Sequence, residues 1–573
     1  MKSLLVYLKD YKKESALAPL FKMLEAIFEL IVPLVVAAII DEGILKNDKG
    51  VILSRAGVLV LLATVGMVAA ITAQYFAARA ATGFGREVRK SLFDKIQSFS
   101  FNELDSVGTS RLITVMTNDT AQVQNGVNMV LRLLLRSPFI VFGAMIMAFT
   151  VDVRCALIFV VTIPLLTLVV FSITKYTIPR YKKVQFQLDE ITKKTSENLE
   201  GARVIRAFVQ EENELKAFDK ENIFLSHIQK AVGRISALLN PVTLVIINIS
   251  IAVLIYSGAL RVNSGSLTQG EVVALYNYMS QILVELIKLA NLIVLLTKSL
   301  ACGARIEAVL KTENTLEHNN NTETLSAESA VAFDNVTFKY KNAAEPSLES
   351  ISFNANKGEV IGIIGGTGSG KTSLVSLIPH FYDASRGTVF VNGKDVKAYS
   401  DDELRSKIGF VFQKAALFKG TVRDNLLWGN ANASDEDMLA ALYKAQIAED
   451  ILEKGGLDAE IEQGGANLSG GQKQRLTVAR ALVRKPEILV LDDSFSALDY
   501  ATEAALRKEI LSLDNKPSVF IVSQRASSVM PADKIIVLDD GRAVGIGTHK
   551  ELLASCEIYK EIFASQFGKE AAV

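Results

Sequence analysis

Residues 360–377 read VIGIIGGTGSGKTSLVSL, and this stretch decides the fold of the C-terminal half of a 573-residue chain. An apolar run, a glycine-rich turn and a helical pattern follow one another without interruption. The turn, residues 365–372, fits G-x-x-x-x-G-K-[ST], in which backbone N–H groups surround phosphate oxygens at the positive end of a helix. The sequence therefore predicts a strand, a phosphate-binding loop and a helix of an α/β domain.

The side chains of this loop predict an ATP site. We expect Lys371 to reach the β- and γ-phosphates and Thr372 to offer its hydroxyl to Mg²⁺. The predicted ATP-binding residues of the loop are Gly365, Gly366, Thr367, Gly368, Ser369, Gly370, Lys371, Thr372 and Ser373. Farther along, the apolar run 488–491 ends at Asp492, in the form that holds Mg²⁺ in P-loop ATPases. The two motifs together predict ATP and Mg²⁺ as the cofactors.

The first three hundred or so residues have a different composition. Half of the whole chain is apolar, 22% is charged and the mean hydropathy is +0.28, which soluble domains rarely reach. Segments of about 20 residues are long enough to cross a bilayer. Six such segments occur, at residues 16–40, 57–81, 131–151, 155–174, 238–262 and 271–296. The N-terminal half is therefore predicted to be an all-α transmembrane domain.

The distribution of charge predicts the orientation in the membrane. Six spans place both termini on one side, and Lys2, Lys9, Lys12 and Lys13 before the first span indicate that this side is the cytoplasm. The loops after spans two and four are long, charged and helix-patterned, so we expect them in the cytoplasm as well. No small-residue cleavage site follows the first span, which favours a multi-pass plasma-membrane protein over a cleaved signal peptide.

The overall charge excludes some partners. Lys plus Arg and Asp plus Glu number 62 each, and the isoelectric point is near 6.9, so no net field recruits nucleic acid. The three cysteines, Cys155, Cys302 and Cys556, are far apart in the sequence. They indicate neither a disulfide framework nor a cysteine-ligated metal site.

Residues 468–472, between the two nucleotide motifs, read LSGGQ. With this pentapeptide and the six preceding spans, the chain resembles a subunit of the exporter type of ATP-binding cassette (ABC) transporter over essentially its whole length. The resemblance implies a six-helix transmembrane domain at 1–310 with long cytoplasmic helical loops, a linker at 311–329 and an α/β cassette at 330–573. It also implies that the pentapeptide contacts ATP held by a partner cassette, through Leu468, Ser469, Gly470, Gly471 and Gln472.

The resemblance implies further roles in the cassette and in the loops. Tyr340 occupies the position where the family stacks an aromatic ring on adenine, although a core position in a strand is the alternative. Gln413 occupies the position of the glutamine that senses Mg²⁺ and the γ-phosphate. The stretches 110–119 and 197–211 resemble the loop sequences that end in coupling helices on a cassette, with plain solvated hairpins as the alternative.

Two residues depart from the hydrolytic members of the family. Those members carry Glu after the Mg²⁺-binding Asp, whereas this chain carries Asp493, whose carboxylate is shorter by one bond of about 1.5 Å. They also carry a switch His where this chain has Gln524, which cannot shuttle a proton. Because a catalytic group misplaced by about 1 Å costs on the order of 100-fold, we expect slow hydrolysis here. Tolerated variation in a working ATPase is the alternative.

An impaired base beside an intact LSGGQ predicts one half of a heterodimer, resembling the degenerate-site subunit of multidrug exporters. The predicted partner is a different half-transporter subunit with a catalytic Glu and a switch His. Two other possibilities remain open. One is an ATP-gated channel or regulatory subunit, and the other is a homodimeric lipid or drug flippase with two slow sites.

The transmembrane domain also contains candidate cargo residues. Glu25 and Glu29 lie one turn apart in the first span, and Glu285 lies in the sixth. Charges at membrane depth are costly and usually face a cavity or an opposite charge. These carboxylates would suit hydrophobic or cationic small molecules, with headgroup contacts or an i, i+3 pair of Glu285 with Lys288 as alternatives.

Overall fold

The structure is a computed structural model that describes residues 3–319, 328–341 and 343–568. Lys2 and residues 320–327 of the predicted linker lie outside the described residues. The chain divides into two compact units. The first comprises Met1–Gln97 and Ser110–Thr312, and the second comprises Ser98–Thr109 and Glu313–Val573. Ser98–Thr109 thus packs with the cassette, whereas the sequence placed it with the transmembrane domain.

The first unit contains the membrane spans. The described residues form six helical segments that are long and apolar enough to cross a membrane: Leu4–Ile44, Lys49–Gln97, Thr109–Val151, Val153–Glu200, Glu211–Asn263 and Gln269–Lys311. The predicted six-span architecture is confirmed. The α-helices up to the end of the sixth span are α1 (Lys12–Ala38), α2 (Lys49–Gln97), α3 (Phe101–Val107), α4 (Thr109–Thr114), α5 (Thr120–Leu133), α6 (Arg136–Val151), α7 (Val153–Glu200), α8 (Ala202–Ala207), α9 (Glu211–Ala237), α10 (Leu239–Asn263) and α11 (Gln269–Lys311).

The long loops after spans two and four are mostly continuations of the spans. Helix α2 has 49 residues and α7 has 48. At 1.5 Å per residue each is about 70 Å long, more than twice the roughly 30 Å hydrocarbon core. In both helices the helical pattern continues beyond the apolar stretch. The charged half of α2 still buries Phe84, Val88 and Leu92, whereas most of the charged half of α7 is exposed. The short helix α8, none of whose residues is buried, lies between α7 and α9.

Helix α3 contacts the cassette. The ring of Phe101 stacks on Phe381 with centroids 4.4 Å apart. The hydroxyl of Tyr382 donates to the Asp105 carboxylate at 2.7 Å. This contact comes from Ser98–Thr109, the segment directly before the stretch 110–119 that the sequence singled out.

The second unit is built on β-sheets with flanking helices. Its strands are β1 (Ser329–Phe338), β2 (Leu348–Asn356), β3 (Val360–Gly365), β4 (Arg386–Val391), β5 (Lys394–Asp395), β6 (Ile408–Val411), β7 (Gly420–Thr421), β8 (Glu460–Ile461), β9 (Ile488–Asp492), β10 (Ser518–Val522), β11 (Lys534–Asp539) and β12 (Arg542–Gly547). Its helices are α12 (Lys371–Ser376), α13 (Asp401–Ser406), α14 (Val422–Leu427), α15 (Asp435–Lys444), α16 (Ala448–Glu453), α17 (Gly470–Val483), α18 (Tyr500–Leu511), α19 (Ala526–Val529), α20 (His549–Ser555) and α21 (Glu557–Phe567).

One sheet positions the nucleotide motifs. Its order is β12-β11-β3-β10-β9-β6, and every neighbouring pair is parallel except β11 and β12. Strands β9 and β10 are buried along their whole length, as expected for a sheet covered on both faces. The carboxyl ends of parallel strands share one edge, where ligands bind in open α/β sheets. The α/β P-loop cassette is therefore confirmed.

Candidate ATP site

A cavity of about 340 Å³ lies at this edge of the sheet. It is lined by Pro346, Ser347, Thr367, Gly368, Gly370, Lys371, Thr372, Ser373, Gln413, Asp492, Asp493, Val522, Gln524, Asp540 and Gly541. The cavity thus joins the phosphate loop to the residues that follow β9 and β10. It also brings together the predicted Mg²⁺ residues and both residues that depart from the family pattern.

The phosphate loop holds its lysine close to the backbone. Nζ of Lys371 donates to the carbonyl oxygens of Gly365 and Gly366, at 2.9 and 2.6 Å. Gly370 has φ +96°, a left-handed conformation that glycine adopts without strain. It is the N-cap residue of α12. Burial lowers the pKa of Lys371, while the charges of Asp493 and Asp492 act in the opposite direction. The ammonium group of Lys371 therefore lies within the loop, where phosphate oxygens of ATP would accept hydrogen bonds from it.

Two oxygen groups fit a Mg²⁺ ion. The hydroxyl of Thr372 donates to Oδ1 of Asp492 at 3.1 Å, and Asp492 is only 2% exposed. Burial, reinforced by the nearby Asp493, raises the pKa of Asp492 to about 6. Hydroxyl and carboxylate oxygens are the hard ligands that Mg²⁺ prefers, usually together with water and phosphate. These two residues would hold the ion, which when bound neutralises charge on the phosphates.

The position of the catalytic base is occupied by Asp493 in an unusual backbone conformation. Its φ is +46°, in the left-handed region where Asp is tolerated better than most residues. The Gln413 amide donates from Nε2 to Oδ2 of Asp493 at 3.2 Å. Burial raises the pKa of Asp493, and the bond from Gln413 acts against that rise. The predicted sensor and the shortened base are therefore hydrogen-bonded to each other.

The loop after β10, which carries Gln524, is fixed by the last described helix. Gln566, in α21, donates from Nε2 to the carbonyl oxygen of Gln524 at 2.8 Å. Its Oε1 accepts from the backbone N–H of Ala526, also at 2.8 Å. Sequence reasoning missed Gln566, because its amide lies 42 residues from Gln524 along the chain and no motif marks it.

The cavity contains other residues that the sequence analysis missed, of which Asp540 and Gly541 are the most informative. They follow β11, a parallel neighbour of β3. The Asp-Gly turn signal at the carboxyl end of an apolar strand could have placed them at this edge. Pro346, Ser347 and Val522 carry no comparable signal.

Tyr340 lies beside the phosphate loop but outside the group of cavity-lining residues. Its hydroxyl is 3.0 Å from that of Ser373, and its ring packs edge-on against Phe338 and Tyr382, with centroids at 4.7 and 5.3 Å. Burial raises the pKa of Tyr340. Stacking on adenine stays a prediction for this residue.

The LSGGQ residues do not line this cavity. Ser469 caps α17 and accepts from the backbone N–H of Gln472, while Leu468 is buried. Ser469 and Gly470 are exposed, and no atom lies within 4 Å of the position that a Cβ on Gly470 would take. Gly471 lies against the backbone of Ala497. The amino end of α17 therefore presents a hydroxyl and small residues to the outside of the cassette.

The three candidate cargo acids take part in ion pairs within the first unit. Arg136 donates to Oε1 of Glu285 at 2.7 Å and to Oε2 of Glu29 at 2.6 Å. Glu285 is 2% exposed and also accepts from Ser137 at 2.7 Å. Glu25 pairs with Lys22 at 2.5 Å.

The three acids differ in the solvent exposure of their side chains. The side chain of Glu29 is 40% exposed, whereas those of Glu25 and Glu285 are 19% and 3% exposed. The predicted pair of Glu285 with Lys288 is present at 2.8 Å. A direct cargo contact stays a prediction for all three acids, and Glu29 is the one with the most accessible carboxylate.

Fold and site define the class of the protein as a multi-pass membrane protein fused to a P-loop ATPase domain. The family of the ABC transporter transmembrane region matches residues 16–286, and the ABC transporter family matches residues 348–496. The uncharacterized ABC transporter ATP-binding protein YfiB of Bacillus subtilis (strain 168) is 37% identical over 573 residues, covering 100% of both chains. The chain belongs to the ABC transporter family, as a half-transporter of the exporter type.

Two further comparisons extend this result. The putative multidrug export ATP-binding/permease protein YgaD of the same B. subtilis strain is 29% identical over 584 residues, covering 99% of both chains. The solved structure of a bacterial Atm1-family ABC exporter with ATP bound matches with a TM-score of 0.80 at 23% identity, covering 97% of this chain and 98% of the other. The latter shows the shared fold.

Proposed function

We propose that this chain is one half of a heterodimeric ABC exporter whose own site binds Mg-ATP and hydrolyses it slowly. The observation that carries the proposal is the joint position of Asp493 and Gln524 in the cavity of Lys371 and Thr372. Both departures lie in the site itself, so they act on the same nucleotide. The Asp493 carboxylate is one bond too short, and the Gln524 amide cannot shuttle a proton as an imidazole does. Both changes weaken activation of the attacking water.

The signature residues support the second part of the proposal, a different partner subunit. ABC exporters of this kind dimerise, and the exposed amino end of α17 offers Ser469 and Gly470 to a second cassette. Backbone N–H groups at a helix amino end bind anions. This chain would thereby complete an active site whose catalytic Glu and switch His come from the partner.

The cargo is proposed to be a hydrophobic or cationic small molecule, in keeping with the name of YgaD as a putative multidrug exporter. Glu29 supports this choice because its carboxylate is partly accessible. Membrane lipid surrounds the spans. We place both termini in the cytoplasm, since the basic residues Lys9, Lys12 and Lys13 precede the apolar stretch of the first span. No nucleic acid partner is proposed.

The proposal is tested by Mg-ATP hydrolysis and binding with the full chain in lipid discs, alone and co-expressed with candidate partner subunits. We expect tight ATP binding with almost no turnover alone, and turnover restored by one partner. Several turnovers per second from the chain alone, within the usual enzyme range, would contradict the heterodimer and support a homodimer. ATP-dependent flux only down a gradient in sealed vesicles would support a channel or regulatory subunit instead.

A further inference from the structure

Three side chains with metal-ligand chemistry meet on the cassette, outside the ATP site. His318 lies in the segment after α11, His380 follows α12, and Asp401 begins α13. One ligand atom of each lies within 4.8 Å of the others, and Nε2 of His318 is 3.8 Å from Oδ1 of Asp401. The chain has only four histidines, so this cluster uses half of them.

Each histidine has its second ring nitrogen bound to an acceptor. Nδ1 of His318 is 3.2 Å from the carbonyl oxygen of Tyr399, which can only accept, so Nδ1 carries the proton. Nε2 of His380 is 2.9 Å from Oδ1 of Asp383 and donates to that carboxylate. The ring nitrogens not used by these two hydrogen bonds, Nε2 of His318 and Nδ1 of His380, are therefore the ones available to a ligand. In metal sites, the second ring nitrogen of a ligating histidine usually donates a hydrogen bond to a carboxylate or a carbonyl oxygen.

Two of the three ligand atoms lack a hydrogen-bond partner. His380 is 1% exposed, and its Nδ1 is buried with no partner among the described residues. Oδ1 of Asp401 is likewise buried and unpartnered in the described part of the chain. Most buried polar atoms in proteins are paired, so two unpaired acceptors in one cluster need an explanation. A cation between them would supply one.

Two further residues, Arg405 and Asp383, hydrogen-bond to the cluster and stabilise its arrangement. Arg405 pairs with Oδ2 of Asp401 at 3.2 Å and donates to the carbonyl oxygen of His380, also at 3.2 Å. This leaves Oδ1 of Asp401 directed at the histidines. Asp383 accepts a second hydrogen bond, at 2.9 Å, from the backbone N–H of Glu317, which precedes His318. Arg405 and Asp383 therefore position all three ligands.

We propose that Nε2 of His318, Nδ1 of His380 and Oδ1 of Asp401 bind a divalent transition-metal ion, with Zn²⁺ as the best fit. Imidazole with one carboxylate is a Zn²⁺ ligand set, whereas Mg²⁺ and Ca²⁺ prefer oxygen alone. Bonds of about 2.0–2.1 Å in a tetrahedron place ligand atoms roughly 3.3–3.5 Å apart. The half-exposed ring of His318 closes the remaining distance by a small rotation, and water takes the fourth position.

The ion would fasten the segment that follows the sixth span to the residues that follow α12. Helix α12 begins at Lys371 of the phosphate loop, so the two ends of this short helix would contact different ligands. This site does not depend on the proposed heterodimer. Its test therefore stands whether or not hydrolysis is slow.

The experiment uses the full, nucleotide-free chain in lipid discs, purified with a tag that contains no histidine. Co²⁺ is titrated as a spectroscopic probe for Zn²⁺, and bound metal is counted by mass spectrometry. His318→Ala and Asp401→Asn remove partly exposed ligands without opening the core. His227→Ala removes an exposed histidine of α9 and is the matched control.

We expect one Co²⁺ per chain with the strong visible bands of a four-coordinate ion, displaced by Zn²⁺. Affinity should fall by at least about 100-fold in His318→Ala and Asp401→Asn and stay unchanged in His227→Ala. Zn²⁺ should raise the Tm of the wild type but not of His318→Ala. Unchanged affinity in His318→Ala, or no binding below about 100 μM in the wild type, would overturn the site.

Discussion

The side-chain amide of Gln413 donates a hydrogen bond to the carboxylate of Asp493, with 3.2 Å between Nε2 and Oδ2. A residue that follows β6 is thereby joined to one that follows β9. The bond draws the shortened carboxylate toward Gln413 and uses one of its acceptor positions. Both side chains line the cavity, so this pair bears directly on how a water molecule could be activated there.

The first prediction concerns this carboxylate. The double variant Asp493→Glu, Gln524→His restores both groups of the hydrolytic pattern. It should raise hydrolysis at this site by about 10- to 100-fold, because the carboxylate advances by one methylene and an imidazole becomes available. Single-turnover hydrolysis of Mg-ATP in the assembled transporter measures the change.

The matched control for this experiment is Asp493→Asn, which keeps the side-chain length and removes the charge. It should lower any residual hydrolysis without affecting ATP binding. If the double variant hydrolyses no faster than the wild type, Asp493 and Gln524 are not what limits the site.

The elements of this site that form a local motif were predictable from the sequence, because the chemistry fixes their spacing. Lys371 and Thr372 end a loop that directly follows one strand, and Asp492 ends another strand. Gln566 was not predictable, because its bonds to the loop of Gln524 depend on how α21 packs. Ser98–Thr109 was assigned by hydropathy to the transmembrane domain, yet its aromatic contacts decide where it lies.

The six spans were predictable as elements but not in their ends. Hydropathy indicates where a helix leaves the hydrocarbon core of the membrane, but it does not indicate where the helix ends. Helix α2 therefore continues to Gln97, although the predicted span ended at residue 81. In the same way, the charges of Glu25, Glu29 and Glu285 were visible in the sequence, but Arg136, which pairs with all three, was not identified as their partner.

A second prediction follows from the buried Mg²⁺ ligand. The pKa of Asp492 is about 6 in the folded chain, above its ordinary value of 3.8. The folded state therefore binds the proton more readily, and the free energy of unfolding falls as pH rises from about 4 to 6. Above pH 6 the full cost of the buried charge is present.

Asp492→Asn removes this cost. At pH 7, without Mg²⁺ or nucleotide, it should stabilise the chain by on the order of 1–3 kcal/mol, and the gain should vanish near pH 4. Thermal unfolding across this pH range measures the difference. A gain of equal size at both pH values would mean that the charge of Asp492 is not its source.

A third prediction compares two glycines of the phosphate loop. A Cβ on Gly370 would lie 2.6 Å from the carbonyl oxygen of Ser347 and 2.8 Å from Cδ2 of Leu348, and its φ is +96°. Gly370→Ala should destabilise the nucleotide-free chain by at least about 2 kcal/mol, combining backbone strain with displaced neighbours. Gly366→Ala, with no atom within 4 Å of its Cβ, should stay within about 0.5 kcal/mol of the wild type. Equal unfolding temperatures for the two variants would contradict this comparison.

A fourth prediction concerns the contact of α3 with the cassette. Phe101→Ala removes the partly buried ring that stacks on Phe381, at a cost below the roughly 3–5 kcal/mol of a fully buried Phe. ATP affinity should be unchanged, since neither residue lines the cavity, while transport per ATP bound should fall. Ser106→Ala, on the exposed side of α3, is the control and should transport normally. Transport by Phe101→Ala at the wild-type rate would show that this stack has no part in coupling.

The last prediction separates cargo recognition from folding in the transmembrane domain. Glu285→Gln leaves the buried guanidinium of Arg136 without its most buried anion, and breaking a buried pair costs about 3–5 kcal/mol, so folding yield and Tm should fall. Glu29→Gln should leave Tm nearly unchanged, because its carboxylate is 40% exposed and Arg136 keeps Glu285.

If Glu29 contacts cationic cargo, vesicle transport of a cation should fall several-fold in Glu29→Gln, while a neutral compound of similar size is transported as before. Glu42→Gln, which removes an exposed carboxylate paired with Arg55 at 3.3 Å, is the control that should change neither transport rate. Equal losses for both compounds in Glu29→Gln would indicate that Glu29 positions Arg136 and does not recognise cargo charge.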